Sequence, residues 1–244
     1  MIPLLRRWLR RGPLNEPFEP YARALNDHWI RKRPVFFYLR GSDGLFHLAS
    51  SAEGFGPLER RRSLEDVALA TCRGRVLNVG AGAGRHSLLL REAGLEVVSI
   101  EIEPTLVDLM KRRGLDEVYQ TDIFRFEQGA FDTIFFLQET IGLVGTLERL
   151  RELLAWLRHS LGRDGQILLD SSAPRGRRRS PGYAGEVESQ LQYRSLLGRP
   201  FRWLWVDFSV LTVCARAAGY DTELLARGPV PRAYLARLRS RPER

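Results

Sequence analysis

A parallel α/β sheet with helices on both faces is the fold class this sequence predicts, and three observations predict it. From residue 75 onward, short apolar runs alternate with stretches of helical spacing. The helical stretches end at glycines, at Gly94, Gly114 and Gly162. The run FDTIFFL (131–137) is apolar throughout, as a strand covered on both faces must be.

The elements follow in order. Residues 1–34 are basic and punctuated by proline, with a helix predicted over 19–31. VFFYL (35–39), the turn GSDG (41–44) and LFHLA (45–49) read as a β-hairpin. SAEGFG (51–56) is a loop, and a helix follows from residue 57 to about Cys72. RVLNV (75–79) is a buried strand, and a helix runs from Gly84 to Glu92. LEVVSI (95–100) is the second strand of the alternating part. Pro104 opens a helix that reaches Arg113. EVYQ (117–120) and FDTIFFL are the third and fourth strands. Leu147, Leu150, Leu154, Leu157 and Leu161 recur at helical spacing, which predicts a helix over 146–161, then a turn and the strand QILLD (166–170). The tail reads as two long strands, 186–197 and 202–206, around a Gly-Arg-Pro turn. A helix over 207–218, the strand DTELLA (221–226) and a closing segment 233–238 of either type follow. A sheet that turns antiparallel at its C-terminal edge accommodates such an end. The natural division is an N-terminal helix and hairpin extension, 1–73, as a cover for substrate, and a main domain, 74–244.

Composition narrows the function classes. The 244 residues include 44% hydrophobic and 10% aromatic, enough for a well-buried core and against disorder. Net charge is +9, and all but two of the 38 basic residues are arginines. That bias reads either as a phosphate-gripping surface or as arginine written wherever a solvated cation serves. The spread of these residues along the whole chain favours the second reading. Two cysteines and four scattered histidines give no metal-type spacing, so no metal site is expected. No apolar run is long enough to span a bilayer. The start, MIPLLRRWLR, is too short and too interrupted for a signal peptide, so the expected location is the cytoplasm. Leu4, Leu5, Trp8 and Leu9 share a helical face, read as a short docked helix rather than a membrane-surface anchor.

The most informative stretch is VLNVGAGAGRHSLLL (76–90). Gly80, Gly82 and Gly84 lie between a buried strand and a helix, where a ligand can approach bare backbone. The helix N-terminus adds unpaired N–H groups. The dinucleotide pattern G-x-G-x-x-G fails, because Arg85 stands where its third glycine belongs. A tight turn without a ligand remains the alternative for the triplet alone. Glu101, at the tip of the next strand in VVSIE, is placed to accept two hydrogen bonds from a ribose diol.

Together with VVSIEIEP, YQTDIF, FDTIFFLQETIGLVG and LGRDGQILLD, in that order, this stretch resembles class I S-adenosylmethionine-dependent methyltransferases over residues 75 to about 172. The resemblance implies a Rossmann-like seven-stranded sheet, mostly parallel, and S-adenosylmethionine as cofactor. It also implies roles at the matching positions. The backbone of Gly80, Ala81, Gly82 and Gly84 would line the methionine part. Glu101 would hold the ribose hydroxyls, and Ile102 would pack on adenine. Asp122 would accept from the adenine amine, with Ile123 beside it. Gln138 and Glu139 would sit near the sulfonium and the incoming substrate. One departure is Asn78, where the family usually has an acid that orients the cofactor. Asn keeps an acceptor but loses the charge.

A methyl sulfonium is already activated, so the reaction needs alignment and exclusion of water more than a strong acid. If a base is required, Glu139 is the candidate by position; His86, in the first turn of a helix, reads as packing or capping. The aromatic N-terminal residues Phe36, Phe37, Tyr38 and Phe55, the loop 171–183 and the tail residues Tyr193, Trp203 and Trp205 are the candidate substrate walls. Arg175, Arg177, Arg178 and Arg179 read as a solvated loop or as a grip on a substrate anion. The expected activity is methyl transfer to a small molecule, with RNA as the alternative acceptor and a non-catalytic S-adenosylmethionine-binding protein as the third reading. The adenine- or cytosine-methylating signature Asn-Pro-Pro-Tyr is absent, since Leu137-Gln138-Glu139-Thr140 stands in its place.

Overall fold

The computed structural model describes residues 16–56, 62–174, 182–228 and 232–241. Two sheets organise them. The larger has seven strands in the order β11-β12-β7-β6-β3-β4-β5. Its five parallel members are β3 (Arg75–Val79), β4 (Glu96–Glu101), β5 (Val118–Gln120), β6 (Phe131–Phe136) and β7 (Leu161–Ser172). β11 (Tyr220–Arg227) and β12 (Ala233–Ser240) form the antiparallel edge, with β12 lying antiparallel against β7. The closing segment 233–238 is thus strand.

Alternation along the central strands explains why helices cover both faces. On one face Leu77, Ile134, Phe136, Ile167 and Leu169 meet α5 (Leu147–Leu157) and α6 (Phe208–Ala217). On the other, Val76, Phe135 and Leu168 meet α2 (Arg62–Thr71) and Leu90 of α3 (Arg85–Glu92). α4 (Pro104–Arg112) follows β4, with Pro104 in its first turn as the sequence predicts.

The smaller sheet is antiparallel: β10 (Phe201–Leu204), β8 (Glu186–Tyr193), β1 (Phe36–Gly41) and β2 (Phe46–Ser50), with the short β9 (Leu196–Leu197) paired to β8. It takes strands from both sides of residue 73: Tyr38 pairs with Gln192, and Phe201 with Ser189. α1 (Glu19–Arg31) lies against β8 and against α4, setting Ala22 and Leu25 on Ala83, Leu106 and Leu109.

Two expectations change. The predicted strand 186–197 breaks at Arg194, which adopts a left-handed backbone (φ 52°) and folds β9 back on β8. The predicted helix over 146–161 ends at Leu157, and Leu161 begins β7 instead, opposite Phe131. Pairing with β6 outweighs the continued leucine spacing there. The N-terminal face of Leu4, Leu5, Trp8 and Leu9 and the Arg175–Arg179 run lie outside the described residues.

Candidate functional site

β3 has β4 on one side and β6 on the other, so the strand order reverses beside it and leaves a crevice at the C-terminal edge. The Gly-rich turn sits at that edge. Gly80 and Ala81 both donate to the carbonyl of Ile100, at 3.0 and 3.1 Å, tying the turn to β4. Gly80 and Gly82 have φ of 66° and 58°, a backbone that side chains disfavour. A Cβ on Gly82 would stand 3.3 Å from the Tyr21 hydroxyl, and one on Gly80 3.0 Å from Leu143. Gly84 serves packing: a Cβ there would meet Leu115 and Met110 at 2.7 and 2.8 Å.

Glu101 ends β4 with its side chain buried. One carboxylate oxygen accepts from the Gly82 N–H at 2.9 Å, the other from Ile102 and Glu103 at 2.9 and 3.2 Å. Burial raises its pKa, while these three backbone donors oppose the rise. A carboxylate has about four lone-pair sites, so an acceptor position is left over at the cavity edge. Asn78 donates to Ser87 Oγ at 2.8 Å, and Ser87 meets Ser99 Oγ at 2.8 Å, a buried chain beneath the turn.

A cavity of about 350 Å³ opens here. It is lined by Asn78, Gly80, Ala81, Gly82, Glu101 and Ile102, and further along by Asp122, Ile123 and Gln138. The structure thus brings together nine of the sequence-predicted cofactor positions. Asp122 also caps the turn after β5, accepting from the Phe124 N–H at 2.9 Å. Gly84 lies behind the wall, and Glu139 does not line the cavity.

Gln138 and Glu139 follow β6 with successive left-handed φ of 60° and 63°, strained for residues with side chains. β7 holds that turn: Asp170 accepts from the Glu139 N–H at 2.7 Å, and Ser172 donates to the Glu139 carboxylate at 2.9 Å. The turn directs Gln138 into the cavity, where its amide donates to the Glu53 carbonyl at 3.1 Å.

His86 is buried and meets Glu65 of α2 at 2.5 Å, and Arg85 pairs with the same carboxylate through both its terminal nitrogens. Glu65 is already neutralised by Arg85. Burial and the Arg85 charge push the imidazole down to about 3, so the neutral ring donates to Glu65. His86 ties α2 to the Gly-rich turn, which is the packing role the sequence suggests.

Of the candidate substrate walls, Phe37 and Trp203 line the cavity. Phe36 is exposed, Tyr193 hydrogen-bonds Asp27 at 2.8 Å, and Phe55 packs on His28 and Trp29. Sequence reasoning missed Phe18, Tyr21, Glu53, Leu191 and Phe201. The helical face of α1 is the one available signal for Tyr21, and nothing local marks the others as neighbours of the Gly-rich turn.

A family model described as a methyltransferase domain matches residues 77–169. The chain is 31% identical, at a TM-score of 0.81, to an S-adenosylmethionine-dependent methyltransferase from Bacteroides fragilis solved with S-adenosyl-L-homocysteine. The match covers 95% of this chain and 98% of that one. Similar in fold are the CcbJ methyltransferase from Streptomyces caelestis (18% identity, TM-score 0.60, 77% and 91% covered) and a sugar N-methyltransferase from Streptoalloteichus (18%, 0.53, 75% and 86%). A search of curated proteins finds no match to the chain.

Proposed function

Because the chain belongs to the S-adenosylmethionine-dependent methyltransferases, we propose that it methylates a small molecule enclosed between the Gly-rich turn and the antiparallel sheet. The carrying observation is the cavity. At about 350 Å³ it lies near the lower end of the ~300–1,000 Å³ typical of small-ligand pockets, and the cofactor itself takes much of that space. Residues from both sheets line the same cavity, which favours a compact acceptor over a polynucleotide. The fold-level neighbours include a sugar N-methyltransferase, in keeping with a small acceptor.

The site suits the cofactor. The Gly80–Gly82 backbone is the cradle that side chains would fill, and Glu101 has an acceptor position for a ribose diol. In this reading Ile102 and Ile123 flank the adenine and Asp122 accepts from its amine. Bound S-adenosylmethionine supplies a methyl group already activated on sulfur. The chain's part is alignment and exclusion of water. Gln138, held by its strained turn, orients the reacting end, and Glu139 braces that turn through Ser172.

The surface charge fits the same reading. Many arginines are spent locally, as in the Arg75–Glu96, Arg237–Glu223 and Arg199–Glu16 pairs. Calorimetry with S-adenosylmethionine and S-adenosylhomocysteine, run beside RNA filter binding at two salt concentrations, tests the proposal. We expect both cofactor forms to bind and RNA retention to be weak. Tight RNA binding that falls steeply with salt would favour a nucleic-acid acceptor. No cofactor binding would refute the enzyme reading of this site.

A further inference from the structure

The two sides of the cavity differ in kind. Toward the seven-stranded sheet the lining joins the Gly80–Gly82 backbone and the polar Glu101 and Gln138 to apolar side chains, Phe124 and Phe136 among them. On the other side, five aromatic rings line it: Phe18, Tyr21, Phe37, Phe201 and Trp203. Tyr21 meets Phe37 edge-on at 5.4 Å, and Phe201 stands between Phe18 at 4.7 Å and Trp203 at 6.2 Å. Trp203 is seated against Gly142, where a Cβ would stand 2.4 Å from the indole nitrogen.

Among the described residues one acid stands on this side. Glu53 lines the cavity, and burial, then the charges of Glu101 and Glu53, hold the Tyr21 phenol above its ordinary range. Among the described residues two cations line the cavity, Arg85 and Arg149. Arg85 is committed to Glu65. Arg149 lies 4.2 Å over the Phe124 ring and pairs with Glu152 at 3.1 Å. Neither belongs to the aromatic wall.

We infer that this aromatic wall is the methyl-acceptor subsite, and that the acceptor is an amine nitrogen on a small apolar frame. The inference rests on the small-molecule methyl transfer proposed above. Ring faces attract cations, and a carboxylate beside them adds to the attraction. A carboxylate or phosphate acceptor would have to leave water for a wall that, among the described residues, offers it no cation and sets Glu53 nearby. A bound ammonium first gives up a proton to water, because only the free amine carries a lone pair; from that point the reaction keeps one positive charge. The nitrogen lone pair forms the new C–N bond as the S–C bond breaks, and that bonding pair passes to sulfur. Charge moves from sulfur to nitrogen, and an N–H proton then leaves to water. A wall suited to a cation accommodates both ends of that transfer.

The test uses the protein saturated with S-adenosylhomocysteine and three probes of one shape: benzylamine, benzyl alcohol and benzoate, titrated by calorimetry near neutral pH. Benzylamine should bind about tenfold more tightly than benzoate, with the alcohol between. Phe201→Leu and Trp203→Leu should each weaken benzylamine about fivefold while leaving S-adenosylhomocysteine affinity within about twofold. Benzoate binding as well as benzylamine, or no binding by any probe, overturns the inference while the cofactor assignment stands. Failure of S-adenosylhomocysteine to bind would strike the underlying reading instead. Glu53→Gln should narrow the gap between amine and alcohol. If it weakens S-adenosylhomocysteine in step, Glu53 belongs to the cofactor and the acidic half of the inference falls.

Discussion

The two sides of the cavity are assembled in opposite ways. The heart of the Gly-rich side is one contiguous segment, β3 through α3, with an acid from the adjoining strand β4, and the ends of β5 and β6 add Asp122 and Gln138. The aromatic side is gathered from α1, β1 and β10, and exists only because residues 38–41 pair with 189–192 far along the chain. Where backbone does the binding, the site can be written locally. Where side chains do it, the fold must collect them from a distance.

The largest effect should come from breaking the local side. Gly82→Val puts a β-branched side chain at φ 58°, into the space in front of Tyr21. Cofactor affinity should fall more than about 100-fold while thermal unfolding stays cooperative. Retained affinity would mean that no ligand uses this backbone. Next, Glu101→Ala removes the acceptor at the tip of β4 and should weaken S-adenosylhomocysteine binding by about 1.5–3 kcal/mol by calorimetry. Part of that loss comes from the freed Gly82 N–H, so Glu101→Gln, which keeps the shape, should lose less. Equal losses from both variants would argue that the charge carries the bond.

The gathered side breaks differently. Gly142→Ala would drive a Cβ into the Trp203 indole, an overpacking cost of about 1–3 kcal/mol read as a lower melting temperature. Cofactor affinity should stay within about twofold once the variant is folded. A parallel loss of cofactor binding would mean that the two sides are not separable.

This contrast also accounts for what could be read from the sequence. The parallel strands, their helices and the turn from Gly80 to Gly84 follow from patterns spanning fewer than about twenty residues, the range over which periodicity and turn chemistry speak. The hairpin at 36–50 was equally legible, but not its partner: nothing in VFFYL names 186–193 as the strand beside it. The turn at Arg194 escaped because its left-handed residue is neither Gly nor Asn. The same holds for Gln138 and Glu139, whose strained backbone is imposed by Asp170 and Ser172 from β7. Leu161 misled because helical leucine spacing ran on past the point where pairing with Phe131 takes over.

The smallest effect sits where the two sides touch. Glu103 follows β4 and opens α4. Burial, then the charges of Glu101, Glu19 and Glu16, push its carboxyl up from 4.5 to about 7. Between those values the folded chain holds a proton that the unfolded chain has released, so this group lowers stability as pH rises through that window and the loss is complete above it. Glu103→Gln removes the titration. It should flatten the dependence of melting temperature on pH across the window and raise stability above it by on the order of 1 kcal/mol. An unchanged slope would mean that Glu103 ionises as a free carboxylate does. Because Glu16 precedes α1 and Glu19 lies in its first turn, loss of the slope on replacing both with glutamine would locate the coupling between the N-terminal helix and the cofactor strand. Persistence of the full slope in that double variant would assign it to burial and Glu101 alone.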